Sequence, residues 1–131
     1  MTTEYIDIEG KWGVVICHNL YRRDVRDMRA YMESFGLPDE KIDEAIRILL
    51  YHDNTGYCIN SFRLRMSLIF IGSATSEDQF WDTVGHELYH RQQSILDYYN
   101  VSKDSEDAAW TYGYLMRKAV QLIGEPCMRE A

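Results

Sequence analysis

The chain has 131 residues, with 14 Lys+Arg against 21 Asp+Glu and a formal net charge of −7. That balance argues against nucleic acid as a partner, because such binding rests on basic patches meeting phosphates. The length suits one domain, residues 1–131, and no stretch approaches the ~20 apolar residues of a membrane span.

From the N-terminus, Tyr5-Ile-Asp-Ile8 alternates and is bounded by Gly10, and Val14-Val-Ile-Cys17 is short, apolar and β-branched. Together they read as a hairpin. His18, just after it, is expected to satisfy a local hydrogen bond. A helix is predicted from about Tyr21 to Phe35, with Val25, Met28, Met32 and Phe35 on one face, ended by Gly36 and Pro38. Arg22, Arg23, Arg26 and Arg29 form a basic cluster there, but Asp24, Asp27 and Glu33 interrupt it, as on a solvated face. A second helix runs from Glu40 to Tyr51, with Ile42, Ala45, Ile46 and Leu49 inward. Asp53-Asn-Thr-Gly56 is a turn signal, followed by Tyr57-Cys-Ile-Asn60. In Arg63–Ile71, Leu64, Met66, Leu68 and Phe70 alternate with Arg63, Arg65 and Ser67, the period-two pattern of a half-buried strand.

The next helix carries the most informative feature. Ser76 is its predicted N-cap, and Glu77 and Asp78 follow in the first turn, where the helix dipole favours negative charge. Within it, His86-Glu87-Leu88-Tyr89-His90 forms the pattern H-E-x-x-H. Residues four apart share a helix face, so His86 and His90 can point the same way and grip one metal ion. Imidazole is a preferred zinc ligand, and Glu87 is placed to take a proton from a metal-bound water. Winding at 100° per residue puts Val84, Leu88 and Ile95 on one side and the two histidines roughly opposite. The plain alternative is a pair of surface histidines on an amphipathic helix.

A zinc site of this type needs a third protein ligand. Asn100–Ser105 reads as a turn, after which a helix with Ala108, Tyr112, Leu115, Ala119 and Leu122 inward runs to Gly124. Glu106, Ala109 and Gly113 share another of its faces, and the small residues at 109 and 113 would let the two helices pack closely. Glu106 is the candidate ligand, with Asp107 and Asp104 as fallbacks; the plain reading of Glu106 is a first-turn acid complementing the dipole.

His86-Glu87-x-x-His90 followed by Glu106-x-x-Ala109 resembles the gluzincin branch of the zincin metallopeptidases. The likeness covers roughly residues 77–116. Within that branch the chain is similar to the minimal ImmA/IrrE-type group and to other short zincin-like proteins often carried by phages and mobile elements. That group usually has Asn where Trp110 stands here. The resemblance implies a zinc ion held by His86, His90 and Glu106, with Glu87 as catalytic base. It implies an α+β fold: one compact zincin-like domain, with a small, mostly antiparallel sheet packed on an active-site helix and a second, metal-supporting helix. It also implies that the strand preceding the active-site helix borders the cleft and can pair with an extended substrate; an ordinary core strand is the other reading.

The expected activity is zinc-dependent hydrolysis of a peptide or protein substrate. Possible oxyanion donors are Tyr112, Tyr114 and His52, and Asp82, four residues before His86, is a candidate to orient it. Cys17, Cys58 and Cys127 are odd in number and widely spaced, which reads as reduced thiols in a cytoplasmic setting rather than a disulfide framework. Glu4, Asp7 and Glu9 are unlike the basic start of a signal peptide. Two other classes stay open: a zincin-like zinc-binding protein without proteolytic activity, acting in assembly, and a metal-free helical interaction protein.

Overall fold

Two strands separated by a three-residue turn open the chain. β1 spans Thr2–Ile8 and β2 spans Trp12–His18, antiparallel, with Tyr5 opposite Val15. The turn closes where the Gly10 N–H donates to Asp7 Oδ2 at 2.8 Å, with Gly10 at φ +67°, a conformation that suits glycine. The expected hairpin therefore forms, with both strands longer than the apolar runs that announced them. The computed structural model describes residues 1–129.

A 3-10 turn at Arg22–Asp24 leads into α1 (Val25–Ser34), and α2 follows at Asp39–Tyr51. Then come β3 (Gly56–Ser61) and β4 (Met66–Ile71), and two long helices, α3 (Glu77–Tyr99) and α4 (Glu106–Ile123). The sheet order is β1-β2-β4-β3; β4 lies parallel to β2 and antiparallel to β3, so two of the three ladders are antiparallel. The result is an α+β fold with a mixed four-stranded sheet between two helical layers.

Each face of the sheet has its own core. Val14 and Ile16 of β2, with Ile69 and Ile71 of β4, join Phe80, Val84 and Leu88 of α3 and Leu115, Ala119 and Ile123 of α4. Val15 and Cys17, with Leu68 and Phe70, join Met28 and Met32 of α1 and Ile42, Ala45, Ile46 and Leu49 of α2. Successive strand residues point to opposite faces, which is why neighbours in sequence fall in different cores.

This arrangement corrects the half-buried strand expected over 63–71. Residues 62–65 form the turn between β3 and β4, with Arg65 at φ 53° and its carbonyl accepting the Gly13 N–H at 3.0 Å. Ser67 does not face water: it is buried, accepts from Trp12 Nε1 at 2.9 Å and donates to Asn60 Oδ1 at 2.6 Å. Only residues 63–67 alternate; Leu68-Ile69-Phe70-Ile71 is a continuous apolar run, and helices cover both faces. His18 is also a departure, since it is buried and neither ring nitrogen has a hydrogen-bond partner among the described residues; burial lowers its pKa.

The predicted helix boundaries hold closely. Ser76 Oγ caps α3 by accepting the Gln79 N–H at 3.1 Å, and α3 ends at Asn100 in the left-handed conformation. Among the described residues no helix is long and apolar enough to cross a membrane.

Two buried faces on one strand make a specific demand. Leu68→Ala and Ile69→Ala should each destabilise the protein by about 2–5 kcal/mol in urea denaturation, since each empties a different core. A half-exposed strand would show that loss at only one of the two positions.

Candidate active site

α3 presents three different faces at the H-E-x-x-H segment. Val84 and Leu88 are buried in the core, while His86 and His90 are exposed. The imidazole centroids lie 4.3 Å apart with planes tilted by 42°, so the pair shares one side of the helix, away from the apolar stripe. Glu87 occupies the third face and is buried.

What buries Glu87 is the edge strand. A Cβ built on Gly56, the first residue of β3, would sit 2.6 Å from Glu87 Cγ, 3.1 Å from its Cδ and 3.0 Å from Thr83 Cγ2. No real side chain tolerates such contacts, so glycine at 56 is what lets the strand lie directly over the glutamate. Desolvation raises the Glu87 pKa, with His90 nearby opposing the rise. Beside it opens a cavity of about 400 Å³ lined by Ile48, Asn54, Thr55, Gly56, Asp82, Thr83, His86 and Glu87. A larger cavity of about 630 Å³, lined in part by Ile8, Trp110, Tyr114 and Arg117, includes none of the motif residues.

β3 then runs in the same direction as α3. Gly56 lies at Thr83 and Glu87, Cys58 falls within electrostatic reach of Glu87 and Arg91, and Phe62, just past the strand, stacks on Tyr98. The strand bordering the motif is therefore β3 and not β4. β4 spends both backbone edges on β2 and β3, so the strand immediately before the helix cannot accept a substrate chain; the outer edge of β3 pairs with no strand among the described residues.

The donor chemistry of His86 and His90 fits zinc. The third ligand is not brought to them: among the described residues no three His, Cys, Asp or Glu side chains group around one ion position. Helix rotation explains this. α4 meets α3 through Tyr112, whose hydroxyl donates to the Gly85 carbonyl at 3.1 Å, and through the Ala108 carbonyl, which accepts from Gln92 Nε2 at 2.8 Å. Glu106 lies about 160° around the helix from Ala108 and is exposed, as are Asp104 and Asp107. The small residues at 109 and 113 do not form the helix contact: Ala109 is exposed, and a Cβ on Gly113 would meet nothing within 4 Å.

The other candidates separate. Tyr112 stands beside the motif through its bond to Gly85 and an edge-on contact with Tyr89 at 6.5 Å. Tyr114 does not join it; its hydroxyl donates to the Asp7 carbonyl on β1 at 3.0 Å. His52 is the exposed C-cap of α2, and it is the residues after it, Asn54 to Gly56, that line the cavity. Asp82 lines the cavity with His86 but makes no hydrogen bond to it among the described residues. Missed from sequence were the roles of Gly56 and Thr83; the Thr83-x-x-x-Glu87-x-x-x-Arg91 spacing was a readable signal of a polar stripe, all three residues being buried.

The thiols are free and poorly placed for nucleophilic work. Burial pushes Cys58 up to about 12 and Cys17 up to about 11, and raises Cys127. All three should react slowly with a thiol reagent at pH 8 in the folded protein and rapidly once it is unfolded, read by absorbance. Gly56→Ala should cost about 1–3 kcal/mol in urea denaturation by forcing Glu87 and Thr83 aside.

Compared with protein-family models, with curated proteins and with solved structures, the chain matches none of them.

Proposed function

We propose that the protein is a zinc-dependent peptide-bond hydrolase of zincin-like build. The observation that carries this reading is the placing of a buried carboxylate, Glu87, between a free strand edge and an exposed pair of imidazoles one turn apart. His86 and His90 would hold the ion; Glu106, the third donor expected from the sequence, is exposed on the first turn of α4 and is not brought to them. Zinc held there would supply a Lewis acid, acidifying a water and polarising the scissile carbonyl.

The remaining work falls to the chain itself. An extended peptide adding to the outer edge of β3 would receive backbone hydrogen bonds with little sequence demand. It would lie beside Gly56, whose backbone packs directly on Glu87. Glu87 would accept the proton of the attacking water and pass it to the leaving amine. Tyr112 is the candidate oxyanion donor that stands on this side of the molecule, its proton now given to Gly85. Three free cysteines fit a reducing, cytoplasmic setting, and an acidic chain fits a peptide or protein partner over nucleic acid.

A second reading is favoured by the two-histidine grouping: a zinc-binding assembly module that does not cut. Metal analysis and one substitution separate the two. The hydrolase reading expects close to one zinc per chain, lost in His86→Ala and His90→Ala. It expects Glu87→Gln to keep zinc and lose about 10²–10⁴-fold in turnover of a peptide library. Zinc below half an equivalent removes both readings, zinc without turnover leaves the module, and unchanged turnover in Glu87→Gln removes Glu87 as the base.

A further inference from the structure

Just past the end of β3, where it runs along α3, stands an exposed aromatic cluster. Phe62 stacks on Tyr98 with centroids 3.9 Å apart and planes 19° apart, and Tyr99 lies edge-on to both, 6.1 Å from Phe62 and 5.0 Å from Tyr98. The cluster is anchored from below: Phe62 also meets buried Trp12 at 5.7 Å, and Trp12 is fixed by its hydrogen bond to Ser67. Yet Tyr98 is 63% exposed and Tyr99 50%. Rings held this firmly and left this open are unusual unless something covers them.

Charge narrows what that is. Arg63 and Arg65 share the turn with Phe62, both exposed, and neither enters an ion pair among the described residues. On a chain of net charge −7, this turn therefore carries two guanidinium groups without an acidic partner among the described residues. It complements a segment that is aromatic and acidic.

Position supplies the rest. From Gly56 to Phe62 an extended chain advances about 20 Å, and from Glu87 to Tyr98 a helix rises about 16 Å. Strand edge and helix thus lead together from the buried glutamate to the cluster. A peptide paired antiparallel to β3 would run from the cluster toward Glu87, with about five residues between.

We propose that Phe62, Tyr98 and Tyr99, with Arg63 and Arg65, form a specificity subsite for an aromatic side chain flanked by acidic residues, about five residues N-terminal to the bond presented at Glu87. This rests on reading the outer edge of β3 as the peptide-binding edge. Aromatic stacking supplies the affinity for the ring, and the arginines select the flanking charge.

The test uses the full chain carrying Glu87→Gln, so that nothing is turned over, and fluorescence anisotropy of labelled ten-residue peptides. A Glu-Phe-Glu peptide should bind at least tenfold more tightly than its Glu-Ser-Glu and Lys-Phe-Lys counterparts. Tyr98→Ala with Tyr99→Ala should erase the preference for Phe while the variant still unfolds in one cooperative transition, at a modestly lowered melting temperature. Arg63→Ala with Arg65→Ala should erase the preference for Glu. Equal binding of the three peptides, absence of binding, an unaltered preference in the variants, or tighter binding of an oligothymidylate would each overturn the subsite. Turnover by the unsubstituted protein keeps the two readings apart. Cleavage indifferent to the Phe sinks the subsite and leaves the hydrolase; discriminating binding without cleavage sinks the hydrolase and leaves the subsite.

Discussion

The packing of the Glu87 side chain against the backbone of Gly56 organises the α3 side of this molecule. It brings the edge strand within van der Waals distance of α3 at one point, and the strand's direction then carries it along the helix to Tyr98. Neither element alone would do this. A helix presents its stripes only every third or fourth residue, and an edge strand keeps one unpaired row of N–H and C=O groups that must go to water or to another chain. Locking the two together leaves Gly56 of the edge strand, the buried Glu87 and the exposed His86 around one cavity. Free edges are a hazard for soluble proteins, and β3 is short, six residues, which limits that hazard.

Local features of the fold were legible in the sequence. Ser76 announced the start of α3, Gly36 and Gly124 announced the ends of α1 and α4, and alternation announced the opening hairpin. Those signals are short-range: a cap, a left-handed glycine, a period. The identity of the edge strand was not legible, because strand order is set by which faces the helices cover. The alternation over 63–67 suggests a half-buried strand, yet α3 and α4 cover the face of Ser67, Ile69 and Ile71, and Ser67 is satisfied by Trp12 and Asn60, 55 and 7 residues away in sequence.

The placing of Glu106 failed to follow from sequence for a related reason. Spacing says which residues share a face but not toward which neighbour that face is turned. The rotation of α4 is fixed by its apolar stripe, Ala108, Leu115, Ala119 and Ile123, which must reach the core. Once that stripe is seated, Tyr112 and the Ala108 carbonyl meet α3, and the face with Glu106, Ala109 and Gly113 is turned elsewhere. The histidine pair escaped this ambiguity because both members lie on one helix, where spacing alone sets their relation.

The polar stripe on the inner side of α3 bears on whether this face serves stability or chemistry. Thr83, Glu87 and Arg91 recur every four residues, all buried, on a helix whose neighbouring stripe is apolar. Thr83 returns its proton to the Gln79 carbonyl, a neutral solution. Glu87 and Arg91 are harder to account for by folding. Arg91 gives one bond to Gln92, lies 5.9 Å over Trp12 and leaves its Nε unpaired, and desolvation pulls its pKa down to about 10, so it stays charged at neutral pH. No ion pair joins it to Glu87 among the described residues. Two separate buried ionisable groups cost stability that apolar residues of the same volume would not. Apolar residues at both positions would favour stability, and retained costs of this kind concentrate at functional sites.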